Sequence, residues 1–244
     1  MSGHSKWSTI KRKKGANDAQ RAKIFTKVSR EILVAVKAGG PDPDNNSALK
    51  DAISKARAVN MPNDNISRTI KKAAGSTDGD NYETVVYEGY GPSGVAVIVD
   101  TLTDNRNRTA ANIRHYFDKF GGNLGTNGCV SFMFDKKGVI IIENDGISED
   151  EITMDALEAG AEDLSVTEDC IEVTSAPEDF HAVRDALESK YTISSAELSM
   201  VPQTMTKIAD EEHITLMGRL LDSLDDDDDV QNVYHNWDMP DDAE

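Results

Sequence analysis

The chain is poor in cysteine and in long apolar runs, and each shortage excludes a class of protein. Its two cysteines, Cys129 and Cys170, stand far apart and outside any Cys-x-x-Cys pair, so neither a disulfide framework nor a zinc site is expected. A reducing, cytoplasmic compartment fits this cysteine usage best. The longest apolar runs, at residues 94–99 and 139–142, are far shorter than the roughly 20 residues that cross a bilayer. The sequence therefore predicts no membrane-spanning segment and no membrane partner.

Signatures of catalysis are also missing. The histidines are scattered without H-E-x-x-H spacing, and neither a G-x-S-x-G elbow nor a cysteine nucleophile motif is present. Residues 89–94 fit G-x-G-x-x-G, but a β-type run follows them where a dinucleotide site requires a helix, so we interpret them as a hairpin turn. Residues 121–128 lack the Gly-Lys-Ser/Thr of a P-loop and are interpreted as a flexible loop. The sequence thus predicts a non-enzymatic protein with no cofactor, no metal site and no small-molecule substrate.

Positive charge is scarce overall but concentrated at one end of the chain. The 244 residues include 26 Lys and Arg against 44 Asp and Glu, a formal charge of −18. Residues 1–75 hold 16 basic and 6 acidic residues, a net charge of 16 − 6 = +10, which leaves 10 − 38 = −28 for residues 76–244. An acidic body with one basic end offers a polyanion a single favourable approach. The charge map therefore predicts both a polyanionic partner and the orientation in which it is bound.

The basic end is predicted to fold as a small bundle of three helices. Residues 18–38 have a helical periodicity that places apolar residues, from Phe25 to Val36, on one face and cations on the opposite face. A second helix is predicted at residues 47–59, and a third begins near Pro62 and ends at a glycine. One face of the first helix is thus expected to pack and the other to remain cationic.

Nucleic-acid binding is the function that this charged end favours. The block at residues 6–14 combines a run of lysine and arginine with Trp7, whose ring offers a stacking face to a base. The competing interpretation is a solvated, frayed tail, which accounts for many lysine runs. The positive charge, however, continues onto the first helix, which favours a binding surface. The candidate nucleic-acid-binding residues are His4, Lys6, Trp7, Lys11, Arg12, Lys13, Lys14, Arg21, Lys23, Lys27 and Arg30.

Beyond a linker at residues 76–81, the pattern alternates strands with helices. The predicted order of elements over residues 138–201 is strand, helix, strand, strand, helix, strand, which is the βαββαβ order of a ferredoxin-like unit. Ser-x-x-Glu pairs predict capping boxes at the start of both of its helices, at residues 149–159 and 176–189. A second α/β layer flanks this unit, with predicted strands at 84–90, 95–99, 130–134 and 230–234 and helices at 106–120 and after residue 210.

We therefore predict an α+β fold of three domains. Residues 1–78 form the basic helical bundle. Residues 79–135 and 204–244 together form one α/β domain. Residues 136–203 form a ferredoxin-like α/β domain inserted into it.

Two further charged motifs leave alternatives open. Arg106 and Arg108 lie at a helix start, where they either form a second anion site or pair with nearby acids behind an N-cap formed by Asp104 or Asn105. The acidic run at residues 225–229 either binds a hard cation or forms a solvated loop. The run lacks the glycine and glutamate that complete a calcium loop, so the solvated loop is favoured.

Several short motifs together resemble the YebC/PmpR family, which is related to the mitochondrial translational activator of cytochrome c oxidase. They are MSGHSKW at 1–7, KIFTK at 23–27, GGPDP at 39–43, YEGYGP at 87–92, TDNRNRT at 103–109 and DDVQNVYHN at 228–236. The resemblance runs almost from end to end. It implies a cytoplasmic protein with an N-terminal helical domain and two α/β domains. It also implies either a DNA-binding transcriptional regulator or a ribosome-associated translation factor that contacts ribosomal RNA and relieves stalling at proline-rich stretches.

The combined expectation is a non-enzymatic, monomeric factor that binds nucleic acid, and structured RNA on the ribosome is favoured over promoter DNA. The DNA-binding alternative lacks an obvious basic recognition helix, because the helix after Pro62 carries its cations, such as Arg68, only near its end. An enzyme or small-ligand sensor is disfavoured because no convergent polar cluster is apparent. A protein adaptor that acts through the acidic surface is the remaining alternative.

Overall fold

The computed structural model describes residues 18–75 and 82–240, and within them it shows seven α-helices and two four-stranded antiparallel sheets. The predicted α+β class is confirmed. The helices are α1 (Asp18–Gly39), α2 (Ser47–Ala58), α3 (Asn63–Gly75), α4 (Arg106–Lys119), α5 (Glu149–Ala159), α6 (Phe180–Glu188) and α7 (Glu211–Asp226). The strands are β1 (Glu83–Tyr90), β2 (Ala96–Thr103), β3 (Asn123–Leu124), β4 (Phe134–Glu143), β5 (Asp163–Val166), β6 (Cys170–Ser175), β7 (Ile193–Pro202) and β8 (Val230–His235). None of the described helices combines the length and apolarity that a bilayer span requires.

Helices α1, α2 and α3 pack around their own apolar core. Ile32, Leu49 and Ala56 are fully buried in it, as the helical spacing of apolar residues in each segment predicts. Asn46 joins the first two helices: its side chain accepts a hydrogen bond from the Leu49 backbone N–H and donates to the backbone oxygens of Ala35 and Gly40. One side chain therefore caps the start of α2 and fixes the end of α1.

The first sheet has the strand order β3-β1-β2-β8. Strands β1 and β2 form a hairpin through the turn at residues 91–95, which confirms the hairpin interpretation of the glycine motif. Helices α4 and α7 cover one face of this sheet, where Phe117, Met217 and Leu220 are completely or almost completely buried. The second sheet has the order β5-β6-β4-β7, and α5 and α6 cover its inner face around Ile140 and Phe180.

Three local predictions are wrong. The expected strand at residues 130–134 is a short 3-10 turn, Ser131–Met133, and β4 instead begins at Phe134 and pairs with β7 along its length. Helix α6 begins at Phe180 rather than at 176, because residues 177–179 form a turn. Neither Ser148 nor Ser175 makes the predicted capping hydrogen bond; the Ser175 hydroxyl donates to the backbone oxygen of Ala176 instead. The serine pattern was right about where α5 starts but wrong about how it is capped.

The helical bundle contacts the second sheet unit through polar groups. Arg184 of α6, only 4% exposed, donates from Nη1 to Asp51 Oδ1 of α2 at 2.9 Å. A more exposed pair joins Lys50 Nζ to Asp185 Oδ2 at 3.3 Å. These contacts hold the bundle against the rest of the molecule by charge rather than by a shared apolar core.

Candidate nucleic-acid interface

The predicted binding residues divide into two groups. His4, Lys6, Trp7, Lys11, Arg12, Lys13 and Lys14 lie outside the described residues. Arg21, Lys23, Lys27 and Arg30 lie on α1. Because the apolar face of α1 packs on α2 and α3, with Val28, Ile32 and Val36 buried, its cationic face is turned away from the bundle core.

That cationic face meets the acidic end of α7. Lys23 Nζ is 2.9 Å from Asp226 Oδ1, and Lys27 Nζ donates to the backbone oxygen of Asp225 at 2.6 Å. Arg30 donates from Nη1 to the backbone oxygen of Asp228 at 2.6 Å, and its guanidinium lies 5.5 Å from the ring centroid of Tyr82. The last carbonyls of a helix carry the negative end of its dipole, so α7 presents both its acids and its backbone to the cations.

Asp229 is the centre of this contact. Its side chain is only 5% exposed, and it accepts hydrogen bonds from Arg30 at 3.1 Å, Arg108 at 2.7 Å and Thr109 at 2.8 Å. Burial alone would raise the pKa of Asp229, but the hydrogen bonds and positive charges of its partners outweigh burial and hold the pKa below its ordinary value. The expected solvated loop is therefore wrong for this residue, which is a buried anchor between α1 and α4.

The neighbouring Asp227 is held by α4. Its Oδ2 accepts from the Tyr116 hydroxyl at 3.0 Å and from Asn112 Nδ2 at 3.3 Å, while its Oδ1 accepts from the Asp229 backbone N–H. Burial and the nearby carboxylate raise the pKa of Tyr116 to about 12. Within residues 18–75 and 82–240 no cluster of acids or histidines is arranged to hold a metal ion, so the cation-binding interpretation of this run gains no geometric support.

The two arginines at the start of α4 behave differently. Asn105 is the N-cap, since its side chain accepts from the Arg108 backbone N–H at 3.1 Å. The Arg108 guanidinium is occupied by Asp104 at 2.8 Å and by Asp229. The Arg106 side chain is exposed and forms no ion pair within the described part of the chain. The structure thus places Arg108 in the pairing arrangement and does not bring Arg106 and Arg108 together on one anion.

A loop that the sequence suggested was flexible is fixed by a buried acid. Glu88 of β1, 5% exposed, accepts backbone hydrogen bonds from Gly128 at 2.8 Å and from Val130 and Ser131 at 2.9 Å. Burial opposes ionisation of Glu88, but these backbone donors outweigh it and lower its pKa below the ordinary value. The sequence gives no sign of this role for Glu88, because the backbone groups that it binds lie about 40 residues further along the chain.

Sequence reasoning also missed a polar network where the bundle meets the first sheet. Lys55 Nζ donates to Glu31 Oε1 at 2.8 Å and to Asn232 Oδ1 at 3.2 Å. Beside it, burial raises the pKa values of Asp100 and Tyr234, which share a hydrogen bond. The partners come from α1, α2, β2 and β8, and no local pattern connects segments so distant in sequence.

Several cations of the bundle remain on its surface. Arg21 of α1 is exposed, as is Lys23, whereas Lys27 and Arg30 are half-buried. Exposed basic side chains without an ion pair among the described residues also include Lys37, Arg57, Arg68, Lys71 and Lys72. The described part of the bundle thus keeps free positive charge even though the central stripe of α1 is paired.

Two family models match nearly all of the described residues. A family model described as the TACO1/YebC protein N-terminal domain matches residues 5–76, and one described as the TACO1/YebC second and third domain matches residues 82–237. The crystal structure of a conserved hypothetical protein from Aquifex aeolicus is similar, with a TM-score of 0.82 and 45% identity over 91% of this chain and 92% of that one.

Relatives of similar length carry one common name. A probable transcriptional regulatory protein of Acetivibrio thermocellus is 63% identical over 97% of this chain and 99% of its own length. A protein of the same name from Ruminiclostridium cellulolyticum is 60% identical over 100% of this chain and 99% of its own length. Since the match to the second and third domains covers more than half of the chain, and relatives this similar span it throughout, the chain belongs to the TACO1/YebC family.

Proposed function

We propose that the protein is a non-enzymatic regulator of gene expression that binds nucleic acid through its basic N-terminal domain. The observation that carries the proposal is the division of charge, +10 over residues 1–75 against −28 over residues 76–244. A polyanion is attracted to the first part and repelled by the second, so binding has one orientation. The names of the relatives, probable transcriptional regulatory protein, agree with a regulatory role.

Structured RNA on the ribosome is the partner we favour, with relief of stalling at proline-rich stretches as the activity. Trp7 and the surrounding lysines supply the stacking and phosphate contacts that RNA surfaces require. DNA is the second candidate, which the names of the relatives favour. Against base-specific DNA reading, the first cation of α3 is Arg68, its sixth residue, and Lys71 and Lys72 follow in its second half, whereas a recognition helix uses its first turns.

We also propose the domain division that the sequence predicted. An apolar cluster around Ile32 supports residues 1–78 as one domain, one around Phe117 supports 79–135 with 204–244, and one around Phe180 supports the inserted 136–203. The inserted segment has the element order βαββαβ and the strand order β5-β6-β4-β7, which supports a ferredoxin-like domain.

Titration of the full-length protein with ribosomes, with free ribosomal RNA and with duplex DNA tests the proposal. If four to six phosphates are neutralised, the plot of log K against log salt has a slope of about −3 to −5 for the preferred partner. A slope near zero contradicts the proposed binding mode. Tighter binding to duplex DNA than to ribosomes and ribosomal RNA would instead favour the DNA alternative.

The block at residues 11–14 supplies the matching variant. Replacing Lys11, Arg12, Lys13 and Lys14 by Ala is expected to weaken binding to the preferred partner and to reduce the salt slope, because phosphate contacts are lost. The melting temperature reports whether folding is retained. Replacing Lys136 and Lys137, which lie on β4 in the acidic part, provides a control that should leave affinity nearly unchanged. Equal affinity of the wild type and the N-terminal variant would move the binding site elsewhere.

A further inference from the structure

We propose that residues 225–228 act as an internal substitute for phosphate: they cover the cationic stripe of α1 and must be displaced before nucleic acid can use it. This inference rests on the proposed function, because it concerns access to the same binding surface. It goes further by assigning to the acidic run a regulatory role in that binding.

The cationic stripe of α1 and the segment at residues 225–228 are complementary in charge. Lys23, Lys27 and Arg30 follow one another along a single face of α1, and each meets an oxygen of the segment at residues 225–228. The oxygens are one carboxylate and two backbone carbonyls, at 2.9, 2.6 and 2.6 Å. A row of anionic or partly negative oxygens along a row of cations is the arrangement that a phosphate backbone would make.

The side chains in this contact become more buried from its outer end to its inner end. At its outer end, the side chains of Lys23 and Asp226 are 47% and 72% exposed. At its inner end, those of Arg30 and Asp229 are 21% and 5% exposed. Exposed pairs are weak and are screened by salt, whereas buried hydrogen-bonded ones persist. The outer contacts can therefore open while Asp229 keeps the segment attached to α4.

The cations in this contact can be reached from solvent through a cleft. A cleft of about 500 Å³ lies beside this contact, and it is lined by Lys23, Arg30 and Arg108 together with the acids of the run. The cleft allows a phosphate to approach the cations from solvent before the carboxylates leave. Exchange of one anion for another requires no unfolding of α1, whose apolar face stays packed in the bundle.

Neutralising the outer acids tests the inference. The Asp226→Asn/Asp228→Asn variant of the full-length chain removes two charges that face α1 but keeps Asp229. The control is Asp145→Asn/Asp150→Asn, which changes net charge by the same amount at exposed positions of the second sheet unit. Binding of a fluorescent oligouridylate RNA is measured by anisotropy for the wild type and both variants.

The first variant is expected to bind about threefold to tenfold more tightly than the wild type, since it removes the Lys23–Asp226 ion pair and the nearby Asp228 charge, which both compete with phosphate for α1. The control is expected to gain less than about twofold, because distant exposed charges are screened. Equal gains in both variants, or no gain in either, would overturn the inference while leaving the proposed function intact. Absence of RNA binding by all three proteins would refute the proposed function for RNA and the inference with it.

Hydrogen exchange gives an independent readout. In the wild type, adding the RNA is expected to accelerate exchange of the Asp227 backbone amide, which donates to the Leu224 backbone oxygen in the closed segment. The Leu102 amide, which donates to the backbone oxygen of the anchor Asp229, is expected to stay protected. Exchange in α5 serves as the internal reference. Unchanged or slower exchange at Asp227 under saturating RNA would show that the segment stays in place, contrary to the inference.

Discussion

The carboxylate of Asp229 shows how much of this molecule depends on single buried acids. Its two oxygens accept hydrogen bonds from Arg30 of the bundle and from Arg108, Thr103 and Thr109 beside the first sheet. A buried charge is tolerated only when partners replace the water that it loses. Glu88 follows the same rule with backbone donors in place of arginines. At the residue scale, ionisable groups therefore fix the positions of segments that lie far apart in the chain.

The Asp229→Asn variant is expected to be less stable than the wild type by about 1–3 kcal/mol, because a neutral amide cannot satisfy all of these donors. In the wild type, the pKa of Asp229 in the folded state lies below that of an unfolded aspartate. Asp229 therefore stabilises the fold above about pH 4, and this contribution is lost as the pH falls through the folded-state pKa. Urea unfolding at neutral pH and at low pH measures both effects.

The exposed Asp226→Asn variant is the control for that experiment. Its carboxylate is 72% exposed, so its loss is expected to change the free energy of unfolding by less than about 1 kcal/mol. If the two variants were equally stable, Asp229 would not be the anchor that its contacts indicate.

His235 of β8 is expected to make stability depend on pH over a different range. Burial lowers its pKa from 6.5 to about 4. The folded state therefore resists protonation of the ring, and stability present above pH 6.5 decreases as the pH falls toward 4. NMR titration of the His235 ring measures this pKa, with exposed His115 as an internal comparison. A value near 6.5 for His235 would contradict the buried environment.

At the element scale, the ends of helices decide how the elements join. Asn46, Asn105 and Asp210 each accept backbone N–H groups at the start of a helix, so three helices begin with the residue types that the capping rule expects. Ser148 and Ser175 show the limit of the rule, because their side chains make no capping bond. A cap motif locates a helix start more reliably than it specifies the hydrogen bond there.

Replacing Asn46 by Ala is expected to cost about 1–3 kcal/mol, since it removes the cap of α2 and the two bonds to the end of α1 together. Thermal unfolding followed by circular dichroism measures the change. The neighbouring Asn45→Ala variant is the control: Asn45 is exposed and its side chain bonds only Asp42 among the described residues, so a loss within about 0.5 kcal/mol is expected. Equal losses would mean that Asn46 acts as an ordinary surface residue.

At the scale of the whole molecule, apolar cores hold each part together, and polar contacts join the helical bundle to the two sheets. The bundle core around Ile32 is separate from the cores around Phe117 and Phe180. Its links to the rest run through Arg184, Lys55 and the acidic run. Polar junctions of this kind are sensitive to salt and permit relative motion, whereas an apolar core does not.

The Arg184→Leu variant tests this arrangement, because leucine keeps packing against Phe180 but cannot bond Asp51. We expect the bundle to unfold at a lower temperature than the two sheets, seen as a separate transition in calorimetry, with a loss of about 1–3 kcal/mol. Lys50→Met is the control: it removes only the pair with Asp185, in which both side chains are about half exposed, and should have little effect. A single unshifted transition for Arg184→Leu would show that this contact does not hold the bundle.

Local pattern was sufficient for most elements and insufficient for the site. The periodicity of residues 18–38 predicted α1 to within one residue of its observed end, because a helix is determined by neighbours three and four positions apart. The strand expected at 130–134 failed because Glu88, from another strand, holds that segment in a turn. Likewise, local pattern gives no sign that the run at 225–229 is paired, because the lysine that Asp226 contacts lies 203 positions away in the sequence.

The amino-acid sequence by itself determined most of the helical and strand segments, the hairpin turn, the division of charge between the two ends and the resemblance to a family. Each of these depends on composition or on residues that are close along the chain. Only the tertiary structure decided that the cations of α1 face the acids after α7, that Arg108 pairs with Asp229, and that Glu88 fixes a glycine-rich loop. Charges attract over distance without a periodic signature, so their partners are known only once packing has brought the segments together.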